Sequence, residues 1–280
     1  MIVALIDNGS LEPAAHRNLR ALASSLSARA GVKVHPVSWK HSERIEAVSL
    51  GGIPADTLAP WVRTQVDAGE RDFVFIPFFV SAQGAIGSWL RRDLESLQRE
   101  IAGGFRFTFS AGLADQGALA RIVVLRILET IATRGLATPP VIVVDHGGPS
   151  TASAQLRDRL AAEVRDGLGS AVGGVLAASL EGADHPHNLP LFVDALVQPG
   201  FDRGDVIVAP LFLAPGRHAG AHGDLALIAA AAEDRGASAG PALARGLRCH
   251  FTALPGTHPQ VADALAAALT TTLSTLHIAA

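Results

Sequence analysis

The chain has 280 residues, 49% of them apolar and 18% charged, which is enough for one large or two ordinary domains with a substantial core. A formal net charge of −3 with no long basic run argues against a nucleic-acid surface, and no charge-free apolar stretch reaches membrane-spanning length. The one cysteine, Cys249, excludes an intrachain disulfide, a Cys-only zinc site and a conventional iron–sulfur cluster, and it fits a reducing compartment, the cytoplasm.

The opening Met1-Ile-Val-Ala-Leu-Ile has no basic segment before it and Asp7 close behind, so it reads as a first buried strand rather than a signal peptide. The pattern then predicts a helix around 14–28, a strand at 32–37, a helix around 57–67 and a strand at 73–80. After Pro139-Pro140 the same order returns: a strand at 141–144, a helix around 151–167, a strand at 173–180, a helix around 189–197 and a strand at 206–213. Runs such as Val141-Ile-Val-Val are apolar at consecutive positions, as parallel strands covered on both faces require. The predicted class is α/β, with two homologous doubly wound domains built on parallel sheets.

The two halves also match in sequence. Val3-Ala-Leu-Ile-Asp-Asn-Gly-Ser10 recurs as Val141-Ile-Val-Val-Asp-His-Gly-Gly-Pro-Ser150, which sets Asn8 against His146. The run Phe73-Val-Phe-Ile-Pro-Phe-Phe-Val-Ser-Ala-Gln-Gly-Ala85 aligns with Val206-Ile-Val-Ala-Pro-Leu-Phe-Leu-Ala-Pro-Gly-Arg-His218, which sets Ala85 against His218. Phe109-Ser-Ala and Phe251-Thr-Ala form a third pair. Three matches in one order at a nearly constant separation identify an internal duplication. Its boundary falls at 135–140, where a helix must stop before the Pro-Pro pair, giving domains 1–135 and 136–280.

In an open α/β sheet, ligands bind beyond the carboxyl ends of the strands, near the point where strand order reverses. Three strands of the second half end there in reactive residues: His146 after 141–145, Glu181 after 175–180 and His218 shortly after 206–213. Two imidazoles and a carboxylate form an N/O site for a divalent first-row metal with positions left for water or substrate. The bland alternatives are a helix cap for His146, a surface histidine for His218 and a solvated acid for Glu181. His222 is an alternative to His218 or a helper beside it, and His185 with His187 could capture a metal or simply face water. Arg217 and the Arg157/Arg159 pair could meet substrate carboxylates, and helix ion pairs would explain the latter equally well. Ser150 and the N–H groups of the Gly147-Gly-Pro-Ser turn suit an anionic group. There is no nucleotide-binding loop, dinucleotide fingerprint or Gly-x-Ser-x-Gly elbow.

Val144-Asp-His-Gly-Gly148, Ser179-Leu-Glu181 and Pro210-Leu-Phe-Leu-Ala-Pro-Gly-Arg-His218 together resemble the three signature segments of the class II, ATP-independent chelatases of sirohydrochlorin, in their two-domain long form. The resemblance implies that His146 and His218 bind the incoming metal and take pyrrole protons with Glu181 assisting. It also implies that Fe²⁺ or Co²⁺ is a substrate and not a prosthetic group, and that the tetrapyrrole lies between two homologous halves. The chain departs from the family's His-Gly-Ser by carrying Gly148, and after His218 it reads Ala-Gly-Ala-His-Gly-Asp-Leu. Asn8, Lys40 and Ala85 stand at the equivalents of His146, Glu181 and His218, so one catalytic site per chain is expected. Phe78, Phe79, Leu211 and Phe212 are candidate apolar walls, or plain core. The expected activity is a lyase, sirohydrochlorin ferrochelatase, feeding sirohaem, with cobaltochelatase of cobalamin biosynthesis as the alternative. The rival of another class is a non-catalytic metal or tetrapyrrole binding protein.

Overall fold

A computed structural model describes residues 1–80, 85–238 and 246–278. The chain forms two compact units, Met1–Ala118 with Pro259–Ala280, and Leu119–His258. In the first, β1 (Ile2–Asp7), α1 (Pro13–Ala30), β2 (Val34–Ser38), β3 (Asp56–Thr57), α2 (Leu58–Asp67), β4 (Asp72–Pro77), α3 (Ala85–Glu100) and β5 (Arg106–Phe109) follow one another. The strands make an all-parallel sheet of order β3-β2-β1-β4-β5. Its boundaries follow from local chemistry. Pro13 opens α1, where its missing N–H would have had no partner, and Gly31 ends that helix in the left-handed region with its N–H on the Ser27 carbonyl. The core is aromatic: Trp61, Phe73, Phe75 and Phe105 are buried, with Phe73 and Phe105 edge-on at 5.3 Å.

The second unit takes α4 (Ala118–Arg134) from residue 119 onward, then β6 (Pro140–Gly147), α5 (Thr151–Leu168), β7 (Gly174–Glu181), α6 (Phe192–Ala195), β8 (Asp205–Pro210), α7 (Asp224–Ser238) and β9 (Arg248–Phe251). Its sheet is parallel in the order β7-β6-β8-β9. Four strands therefore correspond in both place and order: β6 to β1, β7 to β2, β8 to β4 and β9 to β5. The doubly wound duplication expected from sequence is the fold observed. Here the core is aliphatic, with Ile142, Val144, Val206 and Val208 fully buried and Phe192 the one buried aromatic of its cluster.

Two departures from the sequence reading have clear causes. The helix expected at 189–197 is only Phe192–Ala195, because Leu189 before Pro190 is held extended and Leu191 instead bridges to Ser179 beside β7. The compact units also differ from the halves 1–135 and 136–280 in two segments. The last helix of each half, α4 and α8 (Gln260–Ile278), belongs to the unit built by the other half. The stretch 81–84 that leads toward Ala85 lies outside the described residues.

Candidate active site

The strand order of the second unit reverses between β6 and β8, and the expected residues are gathered at the carboxyl edge around that point. β6 runs further than the apolar run alone predicts, through His146 to Gly147, because Gly147 pairs in register with Glu181 on β7. That register sets His146 Nε2 3.3 Å from Glu181 Oε1. The loop after β8 brings His218 in from the other side, its ring edge-on to His146 with centroids 4.7 Å apart and planes at 84°. His218 is the least exposed of the three at 22%, against 47% for His146 and 56% for Glu181. All three predicted residues thus share one open site. Among the described residues no group of three or more His, Cys, Asp or Glu side chains, this trio included, is placed to hold a metal ion as it stands.

The turn that aims His146 depends on its glycine. Gly147 has φ +82°, and a Cβ there would collide with the carbonyl of Glu181. Gly9, with φ +85°, would collide in the same way with the carbonyl of Lys40. The two βα turns are therefore built alike, and Lys40 stands where the other half has Glu181. In that position Lys40 spans to Asp93 at 3.1 Å and lies over Trp39, while Asn8 is exposed.

Beneath each turn lies an Asp–Ser pair, buried in the first unit and with its aspartate partly exposed in the second. In the second unit Asp145 Oδ1 accepts the Ser179 hydroxyl at 2.7 Å, and the buried Arg157 donates to Ser179 Oγ, to the His187 carbonyl at 2.9 Å and to its neighbour Asp158. Burial pushes the Asp145 carboxyl above the usual range, and the Ser179 bond and Arg157 charge oppose that shift. In the first unit Asp7 and Ser38 form the corresponding pair, but His16 replaces the arginine, with Nδ1 3.3 Å from Ser38 Oγ. Desolvation raises Asp7 to about 6 and lowers His16 to about 4. Arg157 is 3% exposed and its guanidinium is spent on the interior, so it cannot meet a substrate; Arg159 pairs with Glu163 along α5 at 3.7 Å.

The remaining candidates sort by their partners. Ser150 spends its hydroxyl as the N-cap of α5, accepting from Ser153 N at 3.3 Å. Arg217 is 84% exposed, with Nε 3.6 Å from Asp224. His222 is exposed in the loop that carries His218. His187 stacks on His185 at 5.4 Å and places Nε2 3.0 Å from the Gly148 carbonyl, so it braces the turn of His146. Phe78, Phe79 and Leu211 are buried core, whereas Phe212 is partly exposed with its ring 6.2 Å from that of His218. Sequence reasoning missed two supports. Buried Asn188 donates at 3.0 Å to both the Gly148 and Gly182 carbonyls, tying the turns after β6 and β7 together. Asp224 Oδ2 holds His218 Nδ1 at 2.7 Å. The only sequence signal for Asp224 is a carboxylate at a helix start, which ordinarily reads as a response to the helix dipole.

Residues 140–272 match the CbiX family. Across nearly its full length the chain has the fold of several solved structures. SirB from Bacillus subtilis with Fe³⁺ is 13% identical with a TM-score of 0.64, covering 96% of this chain and 95% of that one. CbiX, described as the terminal enzyme for biosynthesis of siroheme in denitrifying bacteria, is 17% identical at 0.58, covering 96% and 97%. The sirohydrochlorin chelatase SirB from Bacillus subtilis subspecies spizizenii in complex with cobalt is 12% identical at 0.59, covering 96% and 94%. At these identities the likeness is one of fold. No curated protein matches the chain by sequence. Among the described residues no helix is long and apolar enough to cross a membrane.

Proposed function

We propose that this protein, whose residues 140–272 match the CbiX family, is a metal chelatase that inserts Fe²⁺ into sirohydrochlorin without ATP, forming sirohaem in the cytoplasm. The observation that carries the reading is the convergence of His146, Glu181 and His218 at the strand reversal of the second unit. Metal and tetrapyrrole are both substrates. The divalent ion exchanges for two pyrrole N–H protons, so the site must hold a cation briefly and accept two protons.

The trio suits both tasks. His218 Nδ1 faces a carboxylate, which leaves Nε2 for the ion. Both nitrogens of His146 face oxygen atoms, the Gly147 carbonyl at 3.1 Å and Glu181 at 3.3 Å. Glu181 is exposed and offers the proton a way to water. An open, partly exposed set of borderline ligands releases its ion more readily than a closed four-ligand cage. Arg217, 84% exposed at the rim, can meet a substrate carboxylate beside its ion pair with Asp224. Co²⁺ insertion is the second reading, because imidazole and carboxylate rank Fe²⁺ and Co²⁺ in the same order of affinity and offer little basis for choice.

Anaerobic spectrophotometry of sirohydrochlorin with the purified protein and Fe²⁺ or Co²⁺ in turn tests the proposal. The wild type should metallate the macrocycle faster than a protein-free control, and His146→Ala and His218→Ala should each slow it by at least ~100-fold, the usual scale for losing an acid–base group. The ratio of the two metal rates chooses between iron and cobalt. A wild-type rate equal to the protein-free control with both ions would favour a non-catalytic binding protein.

A further inference from the structure

The two histidines of the site are held differently, and the difference lies in a residue to which sequence reasoning gave no role. We infer that Asp224 is a positioning residue for metal delivery: its carboxylate fixes His218 in the tautomer that carries its hydrogen on Nδ1, so that the Nε2 lone pair points to the metal position. This inference rests on the chelatase reading above.

Four observations converge on it. His218 Nδ1 and Asp224 Oδ2 are 2.7 Å apart, the length of a charge-assisted hydrogen bond in which an N–H must donate because an ionised carboxylate only accepts. Asp224 is the first residue of α7, a rigid element, and not part of the loop it steadies. Backbone bonds lock that loop to the helix, from Asp224 N to the Arg217 carbonyl and from Leu225 N to the His218 carbonyl, both 3.2 Å. Between them Gly223 has no room for a side chain, since a Cβ would lie 2.7 Å from the His218 carbonyl oxygen. The loop and the helix start thus form one closed brace whose product is the aim of a single ring. Neutral imidazole exchanges tautomers freely in water; in this brace the hydrogen has one favoured nitrogen. Arg217 Nε, 3.6 Å from the same oxygen, adds a positive charge beside the carboxylate.

Removing the carboxyl of a histidine-orienting residue typically costs 10- to 100-fold in metal affinity or activity. The experiment pairs insertion kinetics with a measurement that does not depend on insertion. Long-range ¹H–¹⁵N correlation spectra of metal-free protein with ¹⁵N-labelled histidine, assigned through His218→Gln, should show His218 in the Nδ1–H form in wild type and Asp224→Glu. In Asp224→Ala the ring should move to a mixture rich in Nε2–H. In parallel, KM for the metal should rise about 10- to 100-fold in Asp224→Ala with KM for sirohydrochlorin unchanged, and Asp224→Glu should recover part of the loss. Circular dichroism checks each fold, and Asp224→Leu, which also removes the acceptor and is a good helix former, replaces the alanine variant if that variant does not fold. An active wild type with the same metal KM and the same tautomer in the variants would overturn this inference alone. A wild type that inserts neither ion would instead sink the chelatase reading, whatever the spectra show.

Discussion

The buried Asp7–Ser38 pair, with His16 against Ser38, sets the first unit apart from the second. Its counterpart keeps Asp145 beside the permanent cation Arg157, whereas Asp7 and Ser38 meet an imidazole that desolvation keeps neutral. Asp7, raised to about 6 from 3.8, binds its proton more tightly when folded, so its contribution to stability is lost as pH rises through that range. His16, lowered to about 4 from 6.5, binds its proton more tightly when unfolded, so its contribution is lost as pH falls through that range. Between about pH 4 and 6 the two slopes oppose each other. The Asp7→Asn variant keeps only the histidine slope. Relative to wild type it should lose on the order of 2 kcal/mol of unfolding free energy on going from pH 6.5 to pH 4.5. Urea titrations of both proteins at the two pH values measure this, and parallel pH profiles would refute it. The meeting of His146, Glu181 and His218 at one sheet edge was legible in the sequence because the first two stand at strand ends and the third follows β8 in a short loop. Neither His16 nor Arg157 was, because each lies within a helix and its role depends on which Asp–Ser pair that helix covers.

At the level of the element, the βα turn is the part of the site most completely encoded. Gly9 and Gly147 follow matching strands, carry nearly the same φ and press on matching carbonyls, so one substitution made twice separates architecture from chemistry. Alanine at either place forces a residue with a Cβ into the left-handed region against backbone, and each should cost about 1–3 kcal/mol in stability. Only Gly147→Ala displaces the Glu181 carbonyl and should also slow insertion; Gly9→Ala should leave the rate near wild type. All three tryptophans, Trp39, Trp61 and Trp89, lie in the first unit. Tryptophan fluorescence should therefore report the Gly9 variant's loss and be nearly blind to that of Gly147, which circular dichroism will show. Equal activity losses in the two variants would contradict the assignment of one working site. Loop contacts such as Asn188 to two carbonyls resisted reading for a different reason. Periodicity identifies a strand or a helix, but it says nothing of how a non-repeating segment folds back over a neighbouring turn.

For the molecule as a whole, the sequence repeat and the compact units disagree in an instructive way. The boundary at 135–140 is a real break in the chain, between the end of α4 and the start of β6, yet α4 packs with the second unit and α8 with the first. An apolar helix stripe announces that it covers something; it does not announce which sheet. In α4, Leu119, Ile122, Val123 and Ile127 are buried, and Arg126 reaches Thr257 at 3.0 Å. Burying four such side chains is worth roughly 6 kcal/mol or more, comparable with the whole stability of an ordinary domain, about 5–15 kcal/mol. A fragment cut at the repeat boundary, residues 136–280, therefore lacks a layer of its core and carries α8 with Leu265 and Leu269, both at 0% exposure, stripped of their partners. A fragment following the compact unit, residues 119–258, keeps its layers. The second should give a cooperative urea transition and dispersed amide resonances, while the first should bind a hydrophobic dye and unfold without a sharp midpoint. If 136–280 proved the better folded of the two, the exchange of helices would be wrong. If the prediction holds, each half of the duplicated sequence supplies a helix that the other half's sheet requires, which gives a physical reason for the two halves to stay joined.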